Sequence, residues 1–300
     1  MPGNLRFMVK VFQISLKIQF IKKQYGQTRI YRLQFNALPD KSGKADSYAR
    51  AIGILDEVLK HQSVINLNGK SLYEISDIKT IEALEDLVKA EVAKMRKNEK
   101  NIFDYGRPNQ RSYPLNNFCS AALKSLKNYI QYEHDVNAAD IIVEREHNPH
   151  QISKCLIEHF DLTKEGSDAI TQAKYRKGQD YFRRMVLKNY GGHCALTGID
   201  IPQLLLTSHI IPWSENKKER LNPCNGICLS SLYDRAFDQG LIGFDLHYRT
   251  ILSTRIKENE GKEYYEKFFA PIANKKLTTP LVYKPDVRFL EWHMDEIFLR

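Results

Sequence analysis

The chain has no run of apolar residues near the roughly 18 that a membrane-spanning helix requires, so no bilayer segment is expected. Its closest approach, Val9–Ile21, is interrupted by Lys10, Gln13, Ser15, Lys17 and Gln19 and has no small-residue cleavage site, which argues against a secretory leader. Glycine and proline are scarce, 15 and 11 of 300 residues, which excludes collagen-like and low-complexity classes. Cysteine is scarcer still. Five thiols, an odd number in so long a chain, fit a reducing, cytoplasmic setting better than a disulfide framework. Acidic residues run short as well: the first 39 positions carry seven basic side chains and no carboxylate.

What is present suits an ordinary globular protein. Hydrophobic residues make up 42% and charged residues 27%, enough for a substantial core, and 300 residues favour two domains over one. The balance of 45 basic to 36 acidic side chains gives +9, which permits a polyanionic partner without requiring one. Phe12, Ile14, Leu16, Ile18 and Phe20 alternate with polar residues, as do Tyr31, Leu33 and Phe35, with a break at Gly26, which predicts a β-hairpin. From Tyr48 onward the apolar period changes to 3.6: Ala51, Ile52, Leu55, Val58 and Leu59; then Ile78, Ile81, Leu84, Leu87, Val88 and Met95; then Phe118, Ala122, Leu123, Leu126 and Ile130. The polar stretch Glu144–Ser167 reads as a boundary, giving domains 1–150 and 168–300.

The informative segment is Cys194–Gly243. Leu204–Ile211 is a β-type run carrying Ser208 and His209 and stopped by Pro212. A polar loop leads to the turn signal Asn225-Gly226, a short second strand at Ile227–Leu229, and a helix opened by Ser231-Leu-Tyr-Asp234 in capping-box form. The order is strand, loop, strand, helix. Together with Cys194-Ala-Leu-Thr197-Gly198, Ser208-His209-Ile210-Ile211-Pro212-Trp213, Asn225-Gly226-Ile227-Cys228-Leu229 and Phe237-Asp238-Gln239-Gly240-Leu241, it resembles the HNH endonuclease family and its ββα-metal site. The terminal Pro285-Asp286 and Phe289-Leu290-Glu291-Trp292-His293 are similar to the restriction-endonuclease branch of that family.

The resemblance implies an α+β protein: a helix-rich N-terminal domain with a hairpin, for DNA recognition or assembly, and a C-terminal ββα-metal nuclease domain. It implies a metal-dependent DNA endonuclease of a restriction or anti-phage system, with His209 as general base, Asn225 bracing the loop, and Asp234 in the family's third-histidine slot. Ser208 stands where other branches often carry aspartate, so Ser208, Asp234 and Asp238 are the candidate metal ligands. Carboxylates in place of histidine favour Mg²⁺ or Mn²⁺ over Zn²⁺. Double-stranded DNA is the implied partner, cut by a homodimer, with a possible cognate methyltransferase and no membrane. A lapsed HNH-like DNA-binding protein, or a nuclease for modified-base DNA, are the alternatives.

The helix preceding this segment carries Lys174, Arg176, Lys177, Arg183, Arg184 and Lys188, a candidate phosphate-contact face that otherwise reads as solvated surface. Cys194, Cys224 and Cys228 lack a second paired unit, so structural zinc is not expected. His147 and His150 match no ligand pattern. Trp213 and Phe237 read as core, and Glu291 and His293 as a packing motif.

Overall fold

The computed structural model describes residues 44–300 apart from 63, 106–110, 164, 165 and 167. The alternating segments predicted to form a hairpin, Phe12–Phe20 and Tyr31–Phe35, lie outside these residues. The chain divides into two compact units, Met1–Glu133 and His134–Arg300.

In the first unit the 3.6-residue periods become α1 (Lys44–His61), α2 (Ile78–Arg96), the one-turn α3 (Ser112–Leu115) and the start of α4 (Phe118–Arg145). Asp77 caps α2 by accepting the Thr80 amide. Ile52, Leu55, Val58, Ile81, Leu84, Val88, Leu123 and Leu126 are buried in one apolar cluster, as their spacing predicts.

The stretch Glu144–Ser167, expected as a boundary, carries instead a helix of the second unit, α5 (Pro149–His159). Its signals are local: Asn148 caps it by accepting the His150 amide, Pro149 occupies the first turn, and Ile152 and Leu156 are fully buried. The unit boundary falls within α4.

Next comes α6 (Ala169–Asn189), capped by Asp168 and ended at Gly191 and Gly192, both at positive φ. β1 (Leu205–His209) and β2 (Gly226–Ser230) pair antiparallel, with His209 opposite Gly226, and α7 (Ser231–Asp238) packs on both. A Cβ on Gly226 would collide with Val186 and Phe182 of α6, so only glycine lets β2 start this close to the helix. β3 (Ile242–Phe244) and β4 (Thr250–Leu252) form a second ribbon. The short α8 (Thr254–Lys257) and α9 (Glu263–Phe268) precede α10 (Val287–Glu296), which buries Phe289, Leu290 and His293. No helix among the described residues is long and apolar enough to cross a membrane.

Candidate active site

A cleft of about 490 Å³ is lined by Ser208 and His209 from β1, Trp213 from the loop, Asp234 and Asp238 from α7, Arg183 from α6 and His293 from α10. It gathers His209, Asp234, Asp238 and Ser208, four of the residues singled out from sequence. Asn225 stands behind it, fully buried.

Asn225 braces the β1–β2 loop from both ends. Its Oδ1 accepts the Ile211 amide at 2.8 Å, and its Nδ2 donates to the carbonyls of Ile211 and Glu219, each at 3.1 Å. The Ile210 amide also donates to the Asn225 carbonyl. The loop is pinned again where Arg220 Nε donates to the Trp213 carbonyl, with the guanidinium 5.2 Å from the centre of the Trp213 ring.

That loop fixes the tautomer of His209. Its Nε2 lies 3.0 Å from the Arg220 carbonyl, which can only accept, so Nε2 carries the proton and Nδ1 keeps its lone pair. Phe182 stacks on the imidazole at 3.9 Å, and Trp213 meets it edge-on. Burial lowers its pKa to about 4, against an opposing contribution from the Arg220 carbonyl. At neutral pH it is an uncharged acceptor. Trp213, expected in the core, is only half-buried and forms part of the cleft wall.

The two carboxylates sit one helical turn apart. Asp234 Oδ1 accepts the Ser208 hydroxyl at 2.6 Å, and Ser208 is almost fully buried behind it. The expected capping box at Ser231 therefore does not form: Ser230 is the cap residue, and the Ser231 hydroxyl donates to the Leu204 carbonyl. Burial raises the Asp234 pKa, opposed by the Ser208 hydrogen bond and by Arg183. Asp238 is raised to about 6, by loss of water in the cleft and then by the charge of Asp234. Asp234, half-buried, and Asp238, on the exposed side of the helix, lie one turn apart as two like charges that a cation between them would relieve. Among the described residues no group of three or more His, Cys, Asp or Glu could hold a metal ion. Two hard oxygen donors nevertheless fit Mg²⁺ or Mn²⁺, which keep several waters and take one or two protein carboxylates. The cysteines form no such group either. Cys194 Sγ accepts the Ser230 amide, and burial pushes the Cys224 and Cys228 thiols up to about 12.

The basic residues of α6 separate by helical phase. Lys174, Lys177 and Arg184 share a face and are taken by Asp161, Asp135 and Asp140, at 2.6, 2.7 and 3.8 Å. Lys188 lies on that same face. Arg176 and Arg183, seven residues apart, occupy a different face. Only Arg183 reaches the cleft, where it donates to the Leu205 carbonyl at 2.8 Å. Counting charge along the sequence could not separate these faces, whereas placing each residue at 100° steps could have.

His293 is the cleft residue that the sequence reading left as packing. It is 1% exposed, stacked on Phe237 at 3.8 Å, with Nε2 3.1 Å from the Phe237 carbonyl. Burial lowers its pKa to about 4. Its signal in the sequence was its place on the Phe289–Leu290–His293 stripe of α10, an apolar face with one imidazole.

These shifts predict how stability varies with pH. Above about pH 6.5 both imidazoles are neutral whether folded or not. Between 6.5 and 4 the unfolded chain takes up protons that the fold refuses, so stability falls with pH. Asp234 and Asp238 run the other way, gaining stability as pH drops, but Asp238 is open to solvent and counts for less. The two buried imidazoles outweigh the solvent-open Asp238, so the expected net effect is a loss of stability as pH falls from 6.5 towards 4. Thermal midpoints at pH 7 and pH 4.5 check this, and an equal or higher midpoint at pH 4.5 would contradict buried neutral imidazoles.

Residues 194–245 match the HNH endonuclease family model, which covers β1, β2 and α7 but not α6 or α10. No curated protein matches the chain.

Proposed function

We propose that this chain is a divalent-ion-dependent DNA endonuclease of the HNH type, serving in a restriction or anti-phage system. The observation that carries the reading is His209, its Nε2 tied to the Arg220 carbonyl and its Nδ1 left as the acceptor, in one cleft with Asp234 and Asp238. Water attacks the phosphorus in line with the 3′ oxygen. His209 Nδ1 takes the water proton as the new P–O bond forms and the bond to the 3′ oxygen breaks, leaving a 5′-phosphate and, after proton uptake from solvent, a 3′-hydroxyl. Asn225 and the Arg220 carbonyl hold the imidazole for that transfer. Asp234, oriented by Ser208, and Asp238 would hold Mg²⁺ or Mn²⁺. When bound, the ion stabilises charge on the phosphate and the departing oxygen.

Arg183, a cation on the cleft wall, would grip the scissile phosphate, so Arg183→Ala should weaken DNA binding to all sequences alike. It should also shallow the salt dependence by about 0.9 in log–log slope. Arg184→Ala, which loses only a partner of Asp140, should leave that slope unchanged. Equal slopes for parent and Arg183→Ala would remove Arg183 from the phosphate path.

One site cuts one strand, so duplex cleavage calls for a homodimer, and the N-terminal unit is available for recognition or assembly. A cognate methyltransferase would protect host DNA. Modified and unmodified plasmids incubated with purified protein and Mg²⁺, or with EDTA, test the reading. Nicking or linearisation of at least one plasmid in Mg²⁺ alone is expected, and intact plasmid under all conditions would favour a binding protein that has lost catalysis.

A further inference from the structure

The loop that meets His209 is held from α5, a helix outside the 194–245 match. Ser153 lies on that helix and is fully buried. A helical serine often turns its hydroxyl back onto the carbonyl four residues earlier. This one reaches across to the β1–β2 loop instead. Its Oγ donates to the Lys218 carbonyl at 2.7 Å and accepts the Leu221 amide at 3.2 Å. A hydroxyl has one proton to give, so its donor is fully committed to the loop.

Those two bonds bracket Glu219 and Arg220. The Arg220 carbonyl receives His209 Nε2–H, and the Glu219 carbonyl receives Asn225 Nδ2. The Glu219 side chain is tied to the same helix. Its Oε1 accepts His150 Nδ1–H at 2.8 Å, and its Oε2 accepts Asn222 Nδ2 at 2.6 Å. Arg288 of α10 can only donate, so His150 Nε2, 3.1 Å from it, is an acceptor and Nδ1 carries the proton. His150, which matches no ligand pattern, thus links two helices to the loop.

We propose that α5 positions the general base: Ser153 and His150 hold the turn at 218–221 so that the Arg220 carbonyl stays on His209 Nε2, keeping the proton there and leaving Nδ1 as the acceptor. Both are positioning residues that act through the loop. Where a proton transfer depends on alignment, a displacement of about 1 Å can cost on the order of 10²-fold in rate. This rests on the reading of His209 as general base given above.

Selective ¹⁵N labelling of the histidines of the full chain reads the imidazole itself. In the parent, the His209 Nε2–H resonance, assigned by its loss in His209→Asn, should exchange slowly with water. Ser153→Ala leaves the Lys218 carbonyl and the buried Leu221 amide without that partner, and should speed the exchange at least about tenfold. His150→Ala, at a half-exposed position, should speed it about threefold. Single-turnover cleavage by Ser153→Ala should fall about tenfold with DNA affinity within about twofold of the parent. Ile152→Val trims the buried face of α5 and keeps both bonds, so it should lower the thermal midpoint and leave exchange and rate within about twofold. Fast exchange in the parent, unchanged exchange in Ser153→Ala, or exchange and rate that merely follow the midpoints across the three variants would overturn the proposal. If Ser153→Ala does not fold, His150→Ala decides: faster exchange supports the clamp, and unchanged exchange overturns it. A parent chain that cuts no DNA would sink the nuclease reading, while the exchange still decides whether α5 holds the imidazole.

Discussion

Replacing His209 by alanine should lower the single-turnover cleavage rate by about 10²–10⁴-fold while leaving DNA affinity within a few fold. The imidazole acts on the attacking water, so little ground-state binding passes through it. His209→Asn should behave like alanine, because an amide cannot take the proton. The fold should tolerate either change only in part, since the Phe182 stacking and the Arg220 carbonyl bond are both lost. Activity is therefore to be compared at a temperature where each variant is folded. Parallel loss of binding and cutting would argue that His209 holds DNA or the loop, with no role as base.

The second large effect is expected at Asp234. Asp234→Ala should abolish cleavage at limiting Mg²⁺, a loss of at least about 10²-fold if the carboxylate holds the ion. Stability should move little, because two effects oppose. Removing a desolvated carboxylate beside Asp238 relieves repulsion, while the buried Ser208 hydroxyl loses its acceptor at a cost of roughly 1–3 kcal/mol. Asp234→His, which puts an imidazole in place of the carboxylate, should keep activity and shift preference toward softer ions such as Ni²⁺ or Co²⁺. Undiminished cutting by Asp234→Ala at limiting Mg²⁺ would move the principal ligand to Asp238.

The sequence was most informative where chemistry and local structure coincide. His209 ends an apolar strand, Asn225-Gly226 makes the turn into the next, and Asp234 lies in the first turn of the helix that follows. A short stretch of chain therefore fixes all three, and the helices of the first unit followed equally well from their 3.6-residue period. Other features depended on packing between distant segments. His293 is brought to the cleft by the final helix and by its bond to the Phe237 carbonyl, neither of which leaves a local pattern. The charges of α6 looked like one basic face until Asp135, Asp140 and Asp161 were placed against it. The segment around Asn148-Pro149 looked like a boundary because it is polar, yet the same dipeptide starts a helix whose Ile152 and Leu156 are buried. Ser208 reads from sequence as a candidate metal ligand, whereas its buried hydroxyl donates to Asp234 across the β1–α7 packing, a contact that the sequence does not reveal.

The most direct test of the site as a nuclease centre is single-turnover cleavage of an end-labelled duplex in Mg²⁺, by the parent chain and by His209→Ala. The account predicts products bearing 5′-phosphate and 3′-hydroxyl ends from the parent, none when EDTA replaces Mg²⁺, and a rate at least about 10²-fold lower for the variant. Cleavage by His209→Ala at the parent's rate, or equal cleavage in EDTA, would contradict it.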